Sequence, residues 1–243
     1  MSSEPLYKNL RRKLIEYLAQ GKWMPGGRLP SEPELARHFG VSISTVRAAV
    51  NQLVIAEILV RNQGRGTFVA AHDLDRSRYS FSNLYDQTGN KVLSTRQILS
   101  IKKCKPDAEI LNVLQLYDRS EKSIYKVKAL LNFNEQPAAV MTVILPVWLF
   151  PRFGQSGLKQ TEENLYAIFQ RLYGVTVVHM DEKISAGKAS ICSAKLLNIK
   201  SSDPVLQVFR VSYTYNNIPV EIRERAFRNS YNYIYKQDRV HSI

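Results

Sequence analysis

The sequence predicts an α+β protein in two parts, and three observations carry that prediction. Residues 1 to 70 read as three short helices followed by a glycine-tipped hairpin. Residues 94 to 228 hold a series of strand-like runs separated by shorter helical ones. Between them, 72 to 90, "HDLDRSRYSFSNLYDQTGN", is polar and turn-rich. A chain of 243 residues is long enough for two cores. The predicted organisation is a first domain over 1–70, a linker over 71–80 and a second domain over 81–243.

In the first helix Leu6, Leu10, Leu14 and Leu18 recur every four residues, with Ile15 widening the stripe, and Gly21 ends it. Ser31 and Glu34 then have the S-x-x-E spacing of a capping box, which satisfies the orphan amides of a helix start. Pro33 lies in that first turn, where its missing N–H costs little. The second helix is expected over 32–39, stopping at Gly40. Ser42 is the next N-cap, and Val46, Ala49, Val50 and Leu53 give the third helix a buried stripe. "ILVRNQGRGTFVA" reads as a hairpin with Asn-Gln-Gly-Arg-Gly at its tip.

In the second part strands are expected at 94–105, 123–133, 136–145, 175–186, 205–215 and 219–228, and helices at 107–116, 162–173 and 189–197. "NFNEQ" and "YNNIP" are turn sequences between strands, so the sheet should be mainly antiparallel.

Charge narrows the partners. With 34 Lys+Arg against 21 Asp+Glu the net charge is +13, which favours a polyanion. The excess is +5 over residues 1 to 72 and +8 over the rest, so it does not locate a binding face. Cys104 and Cys192 have no metal-type spacing and suit a reducing compartment. No run approaches the ~18 apolar residues of a membrane span, and the amino-terminal segment is charged where a signal peptide is apolar. A cytoplasmic protein without membrane, metal or cofactor is expected.

Three helices and a hairpin in this order describe a winged helix-turn-helix, and its chemistry suits double-stranded DNA. A helix fits the major groove and its amino-terminal residues reach base edges. Ser42, Ser44 and Thr45 are small and polar there, and Arg47, one turn in, can reach a phosphate or a guanine. Gly64 and Gly66 strip bulk from both sides of Arg65, so the tip can enter a narrow minor groove. Taken singly, each feature also fits ordinary packing or an ordinary turn; their order and spacing favour DNA.

"LPSEPELA", "VSISTVRAAVNQL" and "GRGTFV", in that order within Leu6 to Val69, resemble the winged-helix domain of GntR-type bacterial transcription regulators. Residues 94 to 230, through "STRQILS", "LPVWLFPRF", "NLYAIFQRLYGV" and "DPVLQVFRVSYTYNNIPVE", resemble the UTRA effector domain of the HutC branch, whose fold is chorismate-lyase-like. The resemblance implies DNA contacts at Arg28, Ser42, Ser44, Thr45, Arg47, Gln63, Gly64, Arg65 and Gly66. It also implies an operator read as an inverted repeat by a homodimer, and repression relieved by a small molecule. Two positions depart from the family habit of arginine, Pro33 and Ile43; an apolar Ile43 can touch a thymine methyl.

For the second domain, catalysis has no visible candidate. His38, His72, His179 and His241 are scattered, no nucleotide-binding or nucleophile motif occurs, and Asp181 and Glu182 are adjacent on a predicted strand, so they point apart. A lyase-like enzyme carrying a DNA-binding appendage is the competing reading.

Sensing has candidates. Lys126 and Lys128 share one strand face, Glu221, Arg223 and Arg225 share another, and Arg96 lies in a third strand. If these faces meet they form a site for an anionic metabolite; the same alternation also marks the wet face of an antiparallel sheet. By resemblance, Ser82, Asn83, Asn164 and Tyr166 join the effector set. Met141 stands where many relatives carry an acid and Phe227 where a ligand-facing Tyr is frequent. The effector is therefore expected to differ from the amino-sugar phosphate of the best-known branch.

Overall fold

The computed structural model describes residues 5–70, 84–85, 89, 95–133, 135–155, 165–228 and 232–233. The expected linker, 71–80, lies outside the described residues, as do the candidate positions Ser82, Asn83 and Asn164.

The first domain forms as its local signals require. Helix α1 spans Leu6–Ala19 and buries Leu10, Leu14 and Leu18, while Leu6, the outermost member of the stripe, is exposed. Helix α2, Glu32–Phe39, begins with the complete capping box: Ser31 Oγ accepts from Glu34 N, and Glu34 Oε2 accepts from Ser31 N at 2.8 Å. It ends at Gly40, whose φ of 65° is the left-handed turn that glycine adopts without strain. Helix α3, Ile43–Ile55, is capped by Ser42 and buries Val46, Ala49, Val50 and Leu53 against the other two helices. Strands β1 (Leu59–Asn62) and β2 (Gly66–Val69) pair antiparallel as the wing, and Leu29 N donates to Thr67 O at 2.8 Å to fasten it to the helices.

Two short strands, β3 (Leu84–Tyr85) and β10 (Asn232–Tyr233), pair with each other. The second domain's main sheet has six strands: β4 (Thr95–Cys104), β5 (Ile124–Phe133), β6 (Gln136–Pro146), β7 (His179–Lys188), β8 (Pro204–Tyr213) and β9 (Pro219–Arg228). Its order is β4-β5-β6-β9-β8-β7, and every pairing is antiparallel. Helices α4 (Ala108–Val113), α5 (Leu165–Tyr173) and α6 (Ile191–Leu197) complete it. One sheet face packs Val127, Ala129, Met141, Val143 and Phe227 under α5 through Leu165, Ile168 and Phe169. The other buries Ile124, Ile144, Val211 and Ile222 with Leu114 and Leu116, beyond α4.

Two expected boundaries shift for a physical reason. The apolar run at 175–178 is not strand: Val175 N donates to Phe169 O at 3.1 Å, so this segment closes the end of α5 and its valines fill the core. Strand β8 stops at Tyr213, and a 3₁₀ turn, Tyr215–Asn217, carries the chain into β9. That turn joins the two domains. Tyr215 is buried in the same apolar cluster as Leu10, Leu14 and Leu53, and Val178 packs beside it. Burial pushes the Tyr215 phenol up to about 12, with a hydrogen bond to Thr176 acting against it.

Candidate DNA interface and effector face

Helix α3 presents its first turn to solvent. Ser42 Oγ lies 2.8 Å from both Ser44 Oγ and Thr45 Oγ1, and it accepts from Thr45 N at 3.2 Å. The N-cap hydroxyl therefore organises the other two. Ile43 is 44% exposed, an apolar contact surface at the start of the helix. Arg47 extends from the next turn and donates through Nε to Glu32 Oε2 at 3.0 Å.

The wing stands beside it. Gln63, Gly64 and Arg65 are exposed at its tip. Gly66 has a φ of 113°, and a Cβ placed there would come within 2.9 Å of Arg28 Nε. Arg28 thus lies over the glycine backbone and bridges to the wing through Phe68. A cleft of about 330 Å³ runs between wing and α2, lined among others by Arg28, Glu32, Arg61 and Gln63. All ten positions expected at a DNA surface fall in this first domain, at the first turns of α3, the wing and the segment beneath it. Arg61 and Glu32 were not among them. Arg61 Nη2 donates to Glu32 Oε1 at 3.1 Å, which places a second arginine on the same carboxylate. A basic residue in the first wing strand was the only sequence signal for it.

The effector candidates separate into two groups. Cross-strand register aligns Val127, Val143, Arg223, Arg210 and Glu182 in one row across the α5 face. Neighbouring rows on that face hold Ala129, Met141 and Arg225, and Glu221 with Ser212. Arg96 pairs with Leu131 and so joins the same face. Lys126 pairs with Ile144 and Lys128 with Thr142, on the opposite face. The expected meeting of the lysines with Arg96, Glu221, Arg223 and Arg225 does not occur, because the register turns Lys126 and Lys128 the other way. Lys128 Nζ instead reaches Cys192 Sγ at 2.8 Å.

On the α5 face the charges are buried and joined. Arg210 Nε donates to Glu182 Oε1 at 2.6 Å, and Arg225 Nη2 donates to the same oxygen at 2.8 Å. Arg210 Nη1 also donates to Tyr166 Oη at 3.3 Å, and Tyr166 Oη lies 3.0 Å from Ser212 Oγ. Arg223 Nε pairs with Glu221 Oε1 and its guanidinium lies 4.8 Å over the Tyr166 ring. Burial works against the Arg223 charge, but Glu221 and Tyr166 outweigh it and raise its pKa. Glu221 Oε2 and Arg223 Nη2 are buried with no hydrogen-bond partner among the described residues. Sequence patterning had not placed Glu182, Arg210 and Ser212 in the effector set, because their importance comes from partners on other strands and on α5.

Among the described residues no group of three His, Cys, Asp or Glu could hold a metal ion, and no helix is long and apolar enough to cross a membrane.

A winged helix with an exposed polar recognition turn, attached to a sheet domain with a buried ionic face, defines a DNA-reading regulator with a separate sensor. Comparison with known proteins agrees. Residues 6–69 match the bacterial regulatory proteins of the gntR family, and residues 88–232 match the UTRA domain. The chain belongs to the GntR family of transcription regulators and carries a UTRA domain. It is similar to the HTH-type transcriptional regulator Rv0792c of Mycobacterium tuberculosis, 32% identical over 90% of this chain and 81% of that protein. It is also similar to the probable fructoselysine utilization operon transcriptional repressor of Shigella flexneri, 25% identical over 92% and 90% of the two chains. A Bordetella bronchiseptica ligand-binding domain assigned to a GntR-family regulator superposes with a TM-score of 0.62 at 29% identity, covering 66% of this chain and 99% of that one. The family is one of regulators, not enzymes, and the lyase alternative has no support in it.

Proposed function

We propose that the chain is a cytoplasmic repressor that binds an inverted-repeat operator as a homodimer and leaves it when a small anionic metabolite binds the α5 face of its sheet. The observation that carries the sensor half is the pair of buried atoms Glu221 Oε2 and Arg223 Nη2. A buried donor and a buried acceptor left over on one ion pair are costly unless something satisfies both. A ligand that offers an anionic oxygen to Arg223 and a hydroxyl or amine hydrogen to Glu221 does so. Arg96, Arg210, Arg223 and Arg225 against Glu182 and Glu221 leave this face cationic, in keeping with an acid. The residues that would read DNA are Arg28, Ser42, Ile43, Ser44, Thr45, Arg47, Gln63, Gly64, Arg65 and Gly66.

Relatives support the direction of regulation, since several bear the name of repressor, among them the fructoselysine operon protein. One domain of this size makes too few base contacts for a unique site, which is the reason for the dimer.

The experiment is a duplex selected from a random library by the full-length chain, followed by a panel of small hydroxy and amino acids and sugar phosphates added to the complex. Release by one of them, lost in Arg223→Ala, is the expected result. A panel without effect on wild-type binding, together with no change in melting temperature, counts against the sensor; failure to select any duplex counts against the reader.

A further inference from the structure

Glu32 opens α2, off the recognition helix and off the wing, yet it holds an arginine from each. Its Oε2 accepts from Arg47 Nε of α3 at 3.0 Å and its Oε1 accepts from Arg61 Nη2 of β1 at 3.1 Å. The arginine side chains are 61% and 43% exposed and the carboxylate 24%, so the acid is the more enclosed member of the trio.

We propose that Glu32 is a positioning residue that sets DNA specificity: it aims Arg47 and Arg61 together and keeps both from settling on the phosphates of an arbitrary duplex. This rests on the DNA-binding reading above and deepens it.

Three physical points lead there. A free arginine on a long stem pairs with whichever phosphate is nearest, which adds affinity without sequence information. Glu32 engages Arg47 through Nε, and that leaves the two terminal amino groups, the pair that spans O6 and N7 of guanine. Second, the carboxylate itself is repelled by phosphates within a screening length of about 8 Å at physiological salt. Every duplex suffers that repulsion, and only sequences offering the right base edges to the aimed arginines offset it. Third, one carboxylate bonded to α3 and to β1 ties the wing to the recognition helix, so both approach the duplex in one geometry. As plain surface ion pairs the contacts would add little stability. Their consequence is orientation.

The test uses the full-length chain, a duplex selected from a random library by the wild type, and a shuffled duplex of the same composition, each titrated across a salt series. Glu32→Gln keeps the side-chain shape and removes the charge. The expected result is tighter binding to the shuffled duplex with no gain on the selected one, so that their affinity ratio falls about tenfold. The salt dependence on the shuffled duplex should steepen by about one ion. Glu32→Asp retains the charge and should hold the shuffled-duplex affinity at the wild-type value. A merely structural role would weaken both duplexes in parallel, and that outcome, or an unchanged ratio and slope, overturns the proposal. Arg47→Ala separates the two levels. If it binds the selected duplex like wild type, the recognition-helix reading itself fails; if it loses that duplex while Glu32→Gln leaves the ratio intact, only the role of Glu32 fails.

Discussion

Arg210 and Glu182 face each other across β8 and β7 with Nε and Oε1 2.6 Å apart, and the arginine side chain is only 1% exposed. The same carboxylate oxygen accepts from Arg225, so two guanidinium groups share one acid inside the domain. Removing one member of a buried ion pair leaves its partner uncompensated, at a cost of about 3–5 kcal/mol. Glu182→Ala removes a shared acceptor from two arginines and should reach the upper end of that range. Arg210→Ala leaves Arg225 on Glu182 and should fall at the lower end. Chemical denaturation of the two variants measures the difference.

The second prediction concerns the wing. Gly66 combines a φ of 113° with an arginine lying over it. Gly66→Ala is strained by its backbone and pushes Arg28 aside, with an expected cost of about 1–3 kcal/mol. DNA affinity should fall further than stability, because Arg28 and the wing tip move together. Melting temperature and duplex titration, run on the same preparation, check both parts.

Arg47 supplies the third. If its terminal amino groups read a base as proposed, Arg47→Ala should cost about 1–3 kcal/mol on the selected duplex. A uniform loss across all duplexes would instead make Arg47 a phosphate contact.

The two faces of the sheet supply the fourth. Replacing Lys126 and Lys128 together by Ala should leave DNA binding unchanged and keep the response to effector, whereas Arg223→Ala or Glu221→Gln should abolish the response alone. Loss of response in the lysine variant would place the ligand on the Cys192 side.

Two groups give the fifth, a pH dependence with opposite signs. Hydrogen bonds from Ser123 and Lys103 lower Glu121 from 4.5 to about 2. Its folded pKa is depressed, so its contribution is present above pH 4.5 and lost as pH falls toward 2. Tyr215 is raised from 10.0 to about 12, so its contribution is complete below pH 10 and lost as pH climbs toward 12. Glu121→Gln should flatten the acid limb of a melting profile, and Tyr215→Phe the alkaline limb.

Much of the first domain was legible in the sequence because its determinants are local. A capping box spans four residues, a left-handed glycine ends its own helix, and a wing folds back within a dozen positions; Ser31, Glu34, Gly40 and Ser42 each act on near neighbours. The candidate effector face was legible only in part. Side-chain alternation correctly put Lys126 with Lys128, and Glu221 with Arg223 and Arg225. It carried no information on which set shares a face with the other, since that depends on pairing between strands far apart in the chain.

By itself, then, the sequence determined the two-domain α+β plan and the third helix with its wing, because these follow from short-range hydrogen bonding and apolar periodicity, while its motifs carried the resemblance to a family of DNA-binding regulators. Tertiary structure alone decided that Arg223 rather than Lys128 sits with Arg210 and Glu182, that Tyr215 joins the two domains, and that Glu32 gathers Arg47 and Arg61. Strand register and helix packing bring those partners together, and a shift of one residue in either would have sent the same side chains to different neighbours.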